Sequence, residues 1–152
     1  MPLVGVVIGS KNDRDALQPA LDILESMGIT HEINVISAHR TPEKARQYAA
    51  EARERGIEVL IAAAGLAAHL PGVLASWTTL PVIGVPLAGG DLKGLDSLYA
   101  IVQMPAGIPV ATVAIGSAGI KNSAYLAAEM LGIKYPEIRE AYDTYRKGLQ
   151  NQ

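Results

Sequence analysis

Five short runs of consecutive apolar residues punctuate the chain, and between them apolar and polar positions recur at helical spacing. The runs are Leu3–Ile8, Glu32–Ile36, Glu58–Ala63, Pro81–Val85 and Val110–Ile115. Each is apolar on successive positions instead of alternating, the pattern of strands covered on both faces. The intervening segments predict helices near Asp13–Met27, Pro42–Arg55, Ala68–Trp77, Asp96–Met104 and Ile120–Leu131, and a last, mostly polar one from Pro136 to Lys147. Gly28 and Gly56 stand where helix C-caps belong. Pro19 predicts a kink or a late start in the first helix, because a proline in a helix interior removes one N–H and crowds the preceding turn. Strands alternating with helices imply a parallel sheet with helices on both faces. Right-handed crossovers then favour a doubly wound, flavodoxin-like α/β fold of three layers, one domain over residues 1–152.

That architecture locates function before any motif does. In open parallel sheets ligands bind beyond the carboxyl ends of the strands. Polar clusters lie at each such end: Gly9 to Asp13, Ser37 to Arg40, Gly65 to His69, Pro86 to Gly94 and Gly116 to Asn122. Composition narrows the partners. The 152 residues are 49% hydrophobic and 18% charged, apolar enough to imply that some surface meets other subunits. The net charge of −2 and the lack of any Lys/Arg run argue against nucleic acid and acidic membranes as partners. There is no cysteine, which removes disulfides, thiolate metal sites and thiol nucleophiles. No apolar stretch is long enough to span a bilayer. A cytoplasmic protein is expected.

The most informative stretch is Ser37-Ala38-His39-Arg40-Thr41-Pro42. It places a hydroxyl, an imidazole and a guanidinium between a strand end and a helix start, with Thr41 as N-cap and Pro42 at the first helical position. A cation beside a helix N-terminus is electrostatically misplaced unless an anion sits there too, so Arg40 points to a bound phosphate. His39 has the side chain suited to carrying protons near neutrality. A second histidine, His69, follows the third strand in Gly65-Leu66-Ala67-Ala68-His69-Leu70-Pro71-Gly72; a cap at the helix start is its alternative reading. Gly9-Ser10 with Asp13 reads equally as a plain helix cap or as a phosphate and ribose contact. His31 opens the second strand at its far end and receives no role. Asp91 and Asp96 read as solvated. Gly89 to Gly94 reads as a mobile lid, a subunit contact or an ordinary loop. Neither a dinucleotide fingerprint nor a P-loop is present, no Gly-x-Ser-x-Gly elbow supports a serine hydrolase, and two distant histidines make a poor zinc set. No cofactor or metal is expected.

These segments resemble the N5-carboxyaminoimidazole ribonucleotide mutase family, the class I catalytic-subunit family of phosphoribosylaminoimidazole carboxylase. Gly9-Ser10 with Asp13, Ser37 to Pro42, Ala67 to Gly72, Leu80 to Pro86, Ser97-Leu98, Ile101 to Pro105 and Gly107 to Val110 carry the likeness. The resemblance implies a cofactor-free shift of a carboxylate from the exocyclic nitrogen to ring carbon 4 of aminoimidazole ribonucleotide. It implies that Ser10, Asp13, Ser37 and Arg40 hold the ribose phosphate and that His39 is the general acid and base. His69, Gly65, Ala67 and Leu70 would then line the base and carboxylate pocket. It also implies a homo-octamer with sites at subunit junctions. Leu66 stands where the family usually has glycine, and Arg14 where tryptophan is common. Direct carboxylation with free CO2 is the enzymatic alternative. A flavin carrier or a phospho-receiver is the non-enzymatic one. The receiver would need an aspartate where Ala63-Ala64-Gly65 stands, and the flavin carrier would need aromatics that a chain without Phe and with one Trp lacks.

Overall fold

The computed structural model describes residues 1–152. Five parallel strands, β1 (Val4–Ile8), β2 (His31–Val35), β3 (Val59–Ala64), β4 (Val82–Pro86) and β5 (Ala111–Thr112), form one sheet in the order β2-β1-β3-β4-β5. This is the flavodoxin-like arrangement, with the strand order reversing between β1 and β3. The helices are α1 (Arg14–Ser26), α2 (Pro42–Glu51), α3 (Leu70–Ser76), α4 (Leu95–Val102), α5 (Ser117–Gly132) and α6 (Pro136–Leu149), and a 3-10 turn over Lys11–Asp13 leads into α1.

The sheet separates two cores because its central strands turn side chains alternately to each face. Val4, Val6 and Ile8 of β1 join Ile61 and Ile83 against α1, α5 and α6. Val7, Leu60 and Ala62 face Ala45 and Ala49 of α2, Leu74 of α3 and Ile101 of α4. β1, β3 and β4 are buried throughout. The two edge strands, β2 and β5, are only half-buried, since each has a neighbour on one side alone. β5 is also shorter than the apolar run Val110–Ile115 predicts. Its ladder with β4 covers two residues, Ile83 with Ala111 and Gly84 with Thr112. Val113 N–H then donates to Gly84 O and Gly116 N–H to Pro86 O, carrying the chain off the edge into α5.

Pro19 does not delay α1, which runs through it from Arg14. The 3-10 turn starts the coil early, so the proline falls only in the second turn. Gly28 and Gly56 do end their helical segments in left-handed conformation, with φ of 72° and 90°, as C-cap glycines do. No helix is long and apolar enough to cross a membrane.

Candidate active site

Four strand ends meet around one cavity of about 580 Å³. It is lined by residues 9–13 after β1, 37–40 after β2, 64–70 after β3 and 87–90 after β4, and lies over the point where the strand order reverses. All nine residues singled out in the sequence line it: Ser10, Asp13, Ser37, His39, Arg40, Gly65, Ala67, His69 and Leu70. The segment Gly116 to Asn122, after β5, does not reach it. Asn12, Ala38, Ala64, Leu87 and Ala88 also line the cavity. Only their position just past a strand end could have marked them, because their side chains carry little chemistry of their own.

The loop after β2 is closed by its own hydroxyls. Thr41 Oγ1 donates to Ser37 O at 2.9 Å and accepts from Ser37 N–H at 3.2 Å, while Ser37 Oγ accepts from Arg40 N–H at 3.2 Å. Thr41 therefore occupies the N-cap position of α2 without capping it, since no side chain bonds the first turn. Its hydroxyl is spent on the loop. The bracket fixes residues 37–41 and leaves the side chains of His39 and Arg40 free at the cavity wall, both exposed. Arg40 has no carboxylate partner: the protein's ion pairs are Arg46–Glu43, Arg55–Glu32 and Lys134–Glu58. An unpaired guanidinium at a bare helix N-terminus leaves two donors of positive potential on one side of the cavity.

After β3 the chain makes two tight backbone turns, Ala68 N–H to Leu66 O at 2.9 Å and His69 N–H to Ala67 O at 2.8 Å, and enters α3. His69 holds the N-cap position but forms no side-chain cap. Its ring reaches across the cavity instead. His69 Nδ1 lies 2.8 Å from His39 Nε2, with the rings edge-on at 89° and their centres 4.9 Å apart. At that separation one nitrogen must donate and the other accept.

The β1 end carries both of the roles its sequence allows. Ser10 Oγ accepts from Asn12 N–H at 3.2 Å and so caps the 3-10 turn, and Ser10 also lines the cavity. Burial pushes the Asp13 carboxyl above its ordinary 3.8, with a hydrogen bond from the Ser10 backbone pulling the other way. A partly desolvated carboxylate facing a cavity gains from a ligand hydroxyl that hydrogen-bonds it.

Leu66 adopts φ 54°, the left-handed region that costs a residue with a Cβ roughly 1–2 kcal/mol. Across the cavity mouth, Gly90 is left-handed as well, at φ 62°, and a Cβ on it would stand 2.8 Å from Leu66 Cδ2. The Gly90 loop is tied at its ends. Leu87 N–H donates to Ala64 O at 3.0 Å, and the buried Ser97 hydroxyl lies 2.8 Å from both Leu87 O and Gly94 O. Asp91 is solvated as expected, but Asp96 is not. It is half-buried in the first turn of α4, with Oδ1 shielded from solvent and unbonded. The carboxyls and imidazoles nowhere gather into a group that could hold a metal ion.

Fold and cavity together define a flavodoxin-like α/β protein with an imidazole pair and a free guanidinium at its strand ends. The AIR carboxylase family model matches residues 3–152, and the chain belongs to that family. It is 59% identical over 151 residues to the N5-carboxyaminoimidazole ribonucleotide mutase of Pyrococcus horikoshii, covering 99% of this chain and 84% of that protein. The protein of the same name from Saccharolobus solfataricus is 57% identical over 151 residues, covering 99% and 94%. Among solved structures, Treponema denticola PurE superimposes with a TM-score of 0.87 at 26% identity, over 99% of this chain and 93% of that one.

Proposed function

We propose that this chain is an isomerase of purine synthesis. It converts N5-carboxyaminoimidazole ribonucleotide into 4-carboxy-5-aminoimidazole ribonucleotide, with no cofactor. The observation that carries this reading is the His39–His69 contact of 2.8 Å inside the rim cavity, in a chain that shares 59% of its residues with a mutase across nearly its whole length.

The chemistry needs one mobile proton and a closed space. The carbamate N–C bond breaks, CO2 leaves, and the exocyclic nitrogen takes a proton. Ring carbon 4 then attacks CO2, the new C–C bond forms, and that carbon gives up its proton. One proton is delivered and one recovered, so a single imidazole returns to its starting state in each turnover. His39 is that imidazole, and His69 holds the other end of the hydrogen bond. Positioned acid–base groups of this kind contribute about 10²–10⁴-fold. Holding CO2 against the ring contributes more, since effective molarities of oriented partners reach about 10⁵–10⁸ M. Arg40, Ser10, Asp13 and Ser37 bind the ribose phosphate; Gly65, Ala67 and Leu70 bound the base and carboxylate.

A homo-octamer in the cytoplasm accompanies this reading. The ribonucleotide's charged phosphate keeps it within the compartment where it is made. Trp77 at 49%, Tyr99 at 59% and Ile133 at 87% exposure give the single chain apolar surface that subunit contacts would cover. The deciding assay gives purified protein the carbamate substrate in one arm and aminoimidazole ribonucleotide with bicarbonate in the other. The carbamate should be turned over far faster, and preference for the bicarbonate arm overturns the isomerase in favour of a carboxylase.

A further inference from the structure

We propose that Leu66 decides whether released CO2 is kept for the second half of the reaction or lost to solvent. This rests on the isomerase reading above. Leu66 lines the cavity and is 57% exposed, yet its backbone is held in the left-handed region. Neither feature serves the fold. Leu66 is absent from both buried cores, and a glycine would hold the same backbone without strain. Strain kept at a site without a packing return marks a functional constraint.

What the backbone achieves is to lay an isobutyl group against Gly90. That glycine sits in the stretch Ala88–Lys93, whose anchors are Leu87 on one side and Ser97 and Gly94 on the other. Gly90 leaves room for the Leu66 methyl, because a Cβ there would be 2.8 Å from it. The contact therefore joins the loops after β3 and β4 across the mouth, beside Ala67 and His69. An apolar closure at this place excludes water while CO2 is free, and costs CO2 itself no hydrogen bonds. Leu66 is a positioning residue, acting on the retention of an intermediate and not on proton transfer.

The experiment converts the carbamate substrate in medium containing ¹³C-bicarbonate and carbonic anhydrase, and measures label in the product at low conversion. Wild-type protein should incorporate little. Leu66→Gly should incorporate several-fold more and divert part of the substrate to aminoimidazole ribonucleotide. Leu66→Asn provides the same test with an amide that tolerates the left-handed backbone, should the glycine variant fail to fold. Gly90→Ala, which displaces the Leu66 methyl, should leak as well. Label as low as in wild type in every folded variant overturns the assignment to Leu66 while the isomerase stands. A wild-type protein that leaves the carbamate unconverted overturns the isomerase reading, and this inference with it.

Discussion

His39 Nε2 and His69 Nδ1 share one proton across 2.8 Å, so neither ring's protonation is independent of the other. Two protonated nitrogens facing each other would place two donors together with no acceptor. Loss of either partner should therefore disable the same step. His39→Asn should keep the fold and lower turnover by about 10²–10⁴-fold. His69→Ala should lower it by less, and the double variant should be hardly worse than His39→Asn alone. Steady-state kinetics of the three variants check this. Multiplicative losses would mean that the rings act separately.

Arg40 makes no ion pair within the protein, and its side chain lies on the cavity wall away from the imidazole contact. Arg40→Ala should raise KM about 10–100-fold, the loss of a charge-assisted hydrogen bond to an anion, with a much smaller change in kcat. Arg40→Lys should recover only part of the affinity, because a point charge lacks the planar fork that fits phosphate. Titration of the variants with product reads this out directly. Unchanged affinity would remove Arg40 from phosphate binding.

Much of the fold and nearly all of the cavity could be read from the residues. The central strands announced themselves because full burial on both faces forces runs such as Val4 to Ile8 and Val59 to Ala64. β5 was overextended for the complementary reason: Val113 to Ile115 is apolar but leaves the sheet edge, and an apolar run does not encode where a ladder stops. The site residues were legible through topology, since a parallel sheet gathers its strand ends whatever their separation in sequence. The contact between His39 and His69 was not, because nothing in either local segment sets the direction of a ring across 30 residues. Thr41 misled for a similar reason. Its hydroxyl could cap α2 or close the loop, and the choice depends on Ser37 being within reach.

Ser97 anchors the loop that Leu66 touches. It is fully buried, and its hydroxyl is the only hydrogen-bond partner of Leu87 O, whereas Gly94 O also accepts from Leu98 N–H. Ser97→Ala orphans a buried carbonyl and should cost ~1–3 kcal/mol of stability. Denaturant unfolding measures that cost. Amide exchange of residues 88–93 should speed up in the variant, and unchanged exchange would show that the loop is held elsewhere.

Glu58, just before β3, ties α6 to the sheet, accepting from Lys134 Nζ and from Tyr135 Oη, each at 2.6 Å. Burial raises its carboxyl, but the bonds from Lys134 and Tyr135 outweigh burial and hold it below its ordinary 4.5. A depressed acid stabilises the folded state above its unfolded value, and that stability disappears as pH falls through the lower folded value. Glu58→Gln should therefore melt below wild type at neutral pH, by no more than about 2–4 °C because the pair is largely solvated. The gap should narrow between about pH 5 and 3, as the wild-type carboxyl takes up its proton. Thermal melts of both proteins across that range test the assignment. A gap that stays constant with pH would show that packing, and not the charge on Glu58, holds α6 in place.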